Sequence, residues 1–113
     1  MNLTTERTGE VAIVHVAETR VMYPMLGEFT RAVSALFEAG HRRILIDLAP
    51  VTYVDSATIG CLMDLYRLAN GAGAHLKLSG VQKRVETILT MTGVQNFIEI
   101  HADHAGAVKS FGV

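Results

Sequence analysis

The chain has little of several features that mark particular classes of protein. Cys61 is its one cysteine among 113 residues, so an internal disulfide and a zinc site built from several cysteines are both excluded. Residues 1–7 lack the apolar core of a signal peptide. No segment reaches the roughly 18 consecutive apolar residues of a membrane-spanning helix. These absences lead us to expect a cytoplasmic protein that does not enter a membrane.

Neither sign of charge is in large excess. Ten lysines and arginines face eleven aspartates and glutamates, which gives a formal net charge of −1. A nucleic-acid or anionic-membrane surface needs an excess of fixed positive charge, so we expect neither as a partner. Half of the residues are hydrophobic and 19% are charged, a balance typical of a packed globular core. At this length we expect a single domain over residues 1–113.

Short apolar strands alternate with amphipathic helices along the chain. The predicted strands are Val11 to Val16, Ile44 to Leu48, His75 to Leu78 and Phe97 to Ile100, with residues 3–8 pairing to the first through a turn at Gly9-Glu10. The predicted helices run from Pro24 to Gly40, from Ser56 to Asn70, after a capping box of Ser79 and Gln82, and after Asp103. This alternation implies βαβ units with right-handed crossovers. We therefore predict an α/β fold with a small, mostly parallel sheet.

The helix predicted from Ser56 to Asn70 has an unusually wide apolar arc. The arc spans roughly 200° at 100° per residue, so we expect the sheet and a neighbouring helix to cover it. The remaining sector carries Ser56, Gly60, Met63, Asp64, Arg67 and Asn70. It would display the Ser56 hydroxyl at the start of the helix, with Gly60 one turn on leaving the approach open.

Ser56 supports two interpretations. Serine and aspartate both favour helix starts, so the Asp55-Ser56 pair could be a cap and nothing more. Alternatively, Ser56 is a phosphorylation site, because a phosphoryl group adds about −1.5 to −2 charges and is tolerated at a helix N-terminus. Such a switch would preserve the fold and change what docks on that surface.

Four segments follow one another in an order found in a known family. They are Ile44 to Leu48, Val51 to Leu62 with its Asp55-Ser56 pair, Leu76 to Val81, and Leu89 to Phe97. This order resembles the STAS domain of bacterial anti-sigma-factor antagonists, over about residues 11–111. The resemblance implies four or five strands in a mixed, mostly parallel sheet, with about four helices packed mainly on one side.

The resemblance also implies a function. Such antagonists bind an anti-sigma factor that is itself a serine kinase, and so free a sigma factor. The kinase phosphorylates the serine after the aspartate, here Ser56, the modified antagonist is released, and a PP2C-type phosphatase resets it. The residues expected to meet the partner are Asp55, Ser56, Thr58, Gly60, Met63, Asp64 and Arg67. Whether the chain acts alone or as a homodimer stays open.

Two departures from the family pattern bear on that function. Thr58 stands where simple antagonists have glycine, so it would alter recognition by a kinase or compete as the phosphate acceptor. Residues 17–24 replace the usual Gly-x-Leu/Ile-Asp, in a segment that lies near the partner surface in relatives. The alternative function is therefore a non-phosphorylated scaffold or accessory subunit of a stress-signalling or transport complex.

Other residues give little sign of enzyme chemistry. The sequence has no P-loop, GxGxxG or HExxH motif. Cys61 lies within the apolar arc and is interpreted as an inert thiol, and residues 101–104 as a solvated connection rather than a metal site. Asp47 is expected to hold the loop that leads to Ser56. We predict no enzyme, cofactor or metal; a small-molecule sensor would instead require a deep pocket with convergent polar groups.

Overall fold

The structure, a computed structural model, describes residues 1–112. The strands are β1 (Leu3–Thr8), β2 (Val11–Val16), β3 (Arg20–Val21), β4 (Arg43–Asp47), β5 (Tyr53–Val54), β6 (His75–Ser79) and β7 (Glu99–Ile100). The helices are α1 (Leu26–Glu38), α2 (Ser56–Gly71), α3 (Lys83–Met91) and α4 (His104–Ser110), with 3₁₀ turns at Tyr23–Met25 and Val94–Asn96. Within this range, no helix is both long enough and apolar enough to cross a membrane.

The main sheet has five strands in the order β1-β2-β4-β6-β7. Strand β1 is antiparallel to β2, and the other neighbours are parallel, which confirms both the predicted hairpin and the mostly parallel sheet. Strands β3 and β5 form a separate parallel pair that the sequence did not predict. Strands of two residues are too short to carry a periodic pattern.

Side chains of the sheet alternate between two faces. Val14, Ile46 and Leu78 are fully buried on the face covered by α1, α2 and α3, where the larger core lies. Ile13 and Leu45 are buried on the opposite face against α4. The helices therefore lie mainly on one side, as predicted.

Helix α2 packs against both α1 and β6, which confirms that more than one side of it is covered. Its buried residues include Leu62, Leu65 and Ala69. Leu68, which the predicted arc also included, is 50% exposed, so the covered sector is narrower than predicted. Because β2, β4 and β6 are parallel, their carboxyl ends share one edge of the sheet, and α2 begins at that edge.

Asp47 organises the loop that follows β4, in the structural role predicted for it. Its Oδ1 accepts a hydrogen bond from the Ala49 backbone N–H at 2.9 Å. Gly80 packs tightly against this turn with a φ of +67°, where an added Cβ would lie 2.9 Å from Asp47 Oδ1 and 3.1 Å from Ala49. Only glycine satisfies both the left-handed backbone and the close approach.

The predicted capping box at Ser79 and Gln82 is wrong. Ser79 is the last residue of β6; within residues 1–112 its buried Oγ has no hydrogen-bond partner, and its backbone oxygen accepts from Leu48. The turn at Gly80 separates the strand from α3, so Gln82 itself occupies the N-cap position. Its side chain donates to the Ala49 backbone oxygen at 2.7 Å instead of capping the helix.

His15 bridges the two strands that flank β2. Its Nε2 lies 2.6 Å from Glu6 Oε1 in β1, and its Nδ1 lies 2.6 Å from Asp47 Oδ2 in β4. Its ring stacks on that of His104 in α4, with 6.0 Å between centroids. Burial lowers the pKa of His15, but the hydrogen bonds to Glu6 and Asp47 outweigh burial and raise that pKa above its ordinary value.

We expect the free energy of unfolding to fall as the pH rises through the raised pKa of His15. The folded chain holds this proton more tightly than the unfolded chain. The stabilisation is therefore complete below the ordinary pKa of 6.5 and is lost above the raised one. Urea unfolding from about pH 6 to about pH 9 measures the dependence, and His15→Gln should flatten it. An equally steep dependence in that variant would assign the effect to other groups.

Candidate partner-binding site around Ser56

The Asp55 carboxylate sets the geometry of the site. Its Oδ1 accepts from the Thr58 backbone N–H at 2.9 Å and from Thr58 Oγ1 at 2.6 Å, and its Oδ2 accepts from the Tyr23 backbone N–H at 2.9 Å. These hydrogen bonds, led by the one from the Thr58 hydroxyl, lower the pKa of the Asp55 carboxyl. Asp55 is thus the ionised N-cap of α2, with an extended backbone.

Ser56 is the first residue of α2, and it is exposed. Because Asp55 supplies the cap, the Ser56 hydroxyl is not needed for it. No protein group in the described part of the chain hydrogen-bonds Ser56 Oγ. The free N–H groups and dipole of a helix start favour negative charge at this position. A hydroxyl placed here can therefore accept a phosphoryl group without loss of a structural hydrogen bond.

The structure corrects the placement of Thr58 on the partner surface. Its side chain is 2% exposed, and its Oγ1 lies 2.9 Å from the Val21 backbone oxygen and 2.6 Å from Asp55 Oδ1. The helical period turns position 58 toward the core, although it lies only two residues from the exposed Ser56. Thr58 is therefore neither a partner contact nor an alternative phosphate acceptor.

The other residues assigned to the partner surface form a stripe along α2. Gly60, Asp64 and Arg67 are exposed and Met63 is half-buried. Asp64 and Arg67 form an ion pair at 2.8 Å. A Cβ added at Gly60 would have no atom within 4 Å, so this position is open to a docking molecule.

An open groove of about 570 Å³ runs beside this stripe, between α1 and α2. Its lining includes Tyr23, Leu26 and Thr30 on one side and Ala57, Gly60 and Cys61 on the other. Tyr23 is 72% exposed, and its backbone N–H donates to Asp55, the residue before Ser56. The wall formed by Tyr23, Leu26 and Thr30 was not predicted from the sequence. The one sequence signal for this wall was Pro24, which indicates that a helix begins there but not that α2 packs beside it.

The other residues considered for catalysis or metal binding make contacts that belong to the fold. Cys61 is half-buried with its Sγ 3.3 Å from Thr30 Oγ1, and burial raises the pKa of the thiol. Asp103 caps α4 by accepting from the Gly106 N–H at 2.6 Å. Among residues 1–112, no three histidine, cysteine, aspartate or glutamate side chains are arranged to hold a metal ion.

Comparison with known sequences connects this geometry with a family. The sequence model of the STAS domain matches residues 2–107. The anti-sigma-B factor antagonist of Bacillus subtilis (strain 168) is 30% identical over 64 residues, which are 57% of this chain and 59% of that protein. The match thus spans little more than half the length of this relative.

Solved structures share the fold at low sequence identity. A STAS domain protein of Planctomyces limnophilus, described as an anti-sigma-factor antagonist, has a TM-score of 0.87 at 15% identity, over 98% of both chains. The phosphorylated form of SpoIIAA from Bacillus has a TM-score of 0.73 at 12% identity, over 97% of this chain and 99% of that one. These likenesses confirm the predicted architecture.

Two single substitutions separate the exposed hydroxyl from the buried one. Ser56→Ala should change the free energy of unfolding by less than about 0.5 kcal/mol, because it removes no hydrogen bond within the protein. Thr58→Val should lower it by about 1–2 kcal/mol, because it removes the buried hydroxyl whose one proton is shared between Asp55 Oδ1 and the Val21 backbone oxygen. Urea unfolding measures both, and an NMR titration of Thr58→Val should show the pKa of Asp55 nearer its ordinary value. The reverse order of stabilities would contradict the assignment.

Proposed function

This chain belongs to the STAS domain family, and from that premise we propose that it is an anti-sigma factor antagonist controlled by phosphorylation of Ser56. STAS anti-sigma factor antagonists are binding proteins, and this chain is accordingly not an enzyme. The proposed partner is a cytoplasmic anti-sigma factor that is also a serine kinase. It binds the unmodified chain and releases the phosphorylated one, and a PP2C-type phosphatase restores the hydroxyl.

The observation that carries the proposal is the exposed Ser56 hydroxyl beside a complete cap. Because Asp55 Oδ1 caps α2 by accepting from the Thr58 N–H, and Ser56 contributes no hydrogen bond to that cap, modification of Ser56 leaves the helix intact. The added charge of about −1.5 to −2 then acts on the surface rather than on the core. SpoIIAA, which shares this fold, was solved in phosphorylated and unphosphorylated forms, so the fold is compatible with such a modification.

The proposed docking surface is the outward-facing stripe of α2 together with the groove beside it. The stripe consists of the exposed Ser56, Gly60, Asp64 and Arg67 and the half-buried Asp55 and Met63. The groove offers apolar area, and Tyr23 supplies a large side chain with a polar end, of the type enriched in interface centres. The open side of Gly60 lets a partner approach close to Ser56. A phosphoryl group there would add charge at the rim of this contact, where it opposes docking.

Phosphate transfer to Ser56 is the first measurement. Genes beside that of this protein identify the candidate kinase, which is incubated with the chain and ATP before the phosphate is located by mass spectrometry. We expect one modified residue, Ser56, and no modification of Ser56→Ala. Calorimetry should then show binding of the anti-sigma factor weakened about tenfold or more by phosphorylation or by Ser56→Glu.

The same experiment includes outcomes that would overturn the switch. Phosphate on another residue would remove Ser56 from the mechanism. A stable complex of equal affinity with and without phosphate would favour the scaffold or accessory subunit. Thr58→Ser is the matched control, because it keeps the buried hydroxyl and should be phosphorylated at Ser56 like the unmodified chain.

Gly60 provides a separate test of the docking surface. Gly60→Leu has room within the protein and should stabilise α2 by up to about 1 kcal/mol, because leucine is the better helix former. It should nevertheless weaken anti-sigma factor binding about tenfold, because the side chain occupies the approach to Ser56. Gly71→Leu, at the other end of α2 and also unobstructed, is the control and should bind normally. Equal binding by both variants would place the contact elsewhere.

A further inference from the structure

We propose that the chain binds a small polyanion, a molecule with two or more phosphate groups, in a basic pocket at the edge of the sheet opposite Ser56. The pocket has a volume of about 480 Å³. Its charged and titratable lining residues are Arg7, Glu10, His41, Arg42, Arg43 and His75. This site is independent of the proposed antagonist function.

The topology of the sheet brings these residues together. Arg7 and Glu10 come from the β1–β2 hairpin, Arg42 and Arg43 from the start of β4, and His75 from the start of β6. Strands β4 and β6 are parallel neighbours, so their first residues lie at the same edge, where the His75 N–H donates to the Arg42 backbone oxygen at 2.8 Å. Helix α2 begins at the opposite edge, which separates this pocket from Ser56.

The lining of the pocket is positive in a chain that is nearly neutral. Three arginines against one glutamate give its lining a formal charge of +2, whereas the whole chain carries −1. Arg43 forms an ion pair with Glu10, whose side chain is 72% exposed. Arg7 and Arg42 have no carboxylate within 4 Å among the described residues. Their protein hydrogen bonds are long ones to nearby backbone oxygens, at 3.5 Å and 3.4 Å.

The C-terminal ends of α1 and α2 also lie at this edge and reduce the positive potential. Each helix end contributes about half a negative charge, so the two together offset about one arginine. Several of their last carbonyls already accept hydrogen bonds from the turns that follow, including those from Gly40, His41 and Ala74. The guanidinium groups are therefore not needed to satisfy these carbonyls, and the pocket keeps a net positive charge.

The shape and chemistry of the pocket favour a small phosphorylated molecule. Guanidinium groups bind phosphate oxygens through paired N–H donors, and Arg7 and Arg42 both have unused donors. A second phosphate group would compete with Glu10 for Arg43. The volume falls within the range of small-molecule sites, about 300–1,000 Å³. A recess of this size suits a small molecule better than a membrane, which is bound by clusters of about four to eight lysines and arginines.

Inorganic pyrophosphate is the probe, titrated into the full chain at low ionic strength and followed by NMR. We expect saturable shifts of the backbone signals of residues 40–43 and 73–75. Arg7→Ser and Arg42→Ser should each weaken binding about three- to tenfold, and higher salt should weaken it further. Glu10→Gln should tighten binding several-fold, because it removes the one carboxylate of the pocket and frees Arg43. Arg67→Ser, outside the pocket, is the control and should bind like the unmodified chain.

Other outcomes overturn the proposal. Shifts that rise without saturation, or that are equal with sulfate at the same ionic strength, would show general screening of charge rather than a site. Tighter binding to phosphatidylserine vesicles than to pyrophosphate, lost in Arg42→Ser, would assign the patch to a membrane surface. Unchanged affinity in both arginine variants would place any pyrophosphate site elsewhere, and urea unfolding of each variant establishes that the fold is retained.

Discussion

Three hydrogen bonds to the Asp55 carboxylate join the start of α2 to the segment that precedes α1. Two come from Thr58, within the first turn of α2, and one comes from the Tyr23 backbone, 32 residues earlier in the chain. One ionised group thus begins the helix and fixes the α1 side of the groove next to it. Because the Asp55 carboxylate supplies the N-cap, the neighbouring Ser56 hydroxyl has no structural hydrogen bond to lose. Ser56 can therefore be modified without disturbing the fold.

Parallel topology places two different electrostatic environments at the two edges of the sheet. The N-termini of α1 and α2 lie at the edge where β4 ends, so the dipoles of both helices favour an added negative charge near Ser56. The opposite edge collects Arg42 and Arg43 at the start of β4 and Arg7 of the β1–β2 hairpin. Strands β2, β4 and β6 run from one edge to the other and separate the two environments.

The sequence predicted the parts of this structure that depend on local periodicity. Alternation and helical spacing placed the strands of the main sheet, α1 and α2, and their order implied parallel crossovers. Composition could not predict the basic pocket. The net charge of −1 is a sum over the whole chain, whereas the arginines of the pocket are brought together only by the fold. Likewise, the spacing of Ser79 and Gln82 matched a capping box. The turn at Gly80 instead leaves Ser79 in β6 and makes Gln82 the N-cap of α3, so the two side chains cannot form such a box.

The two departures from the family pattern are a single structural feature. Thr58 stands where the resemblance to the family implies glycine, and residues 17–24 stand where it implies Gly-x-Leu/Ile-Asp; in the sequence the two are 34 or more residues apart. In the structure the Thr58 hydroxyl reaches the Val21 backbone oxygen at 2.9 Å, and Asp55 beside it binds the Tyr23 N–H. A glycine at position 58 would remove the hydroxyl whose one proton is shared between Asp55 Oδ1 and the Val21 backbone oxygen. Thr58, which the sequence left open as an alternative phosphate acceptor, therefore helps to hold residues 17–24 against α2. Its burial leaves Ser56 as the accessible hydroxyl at the start of α2.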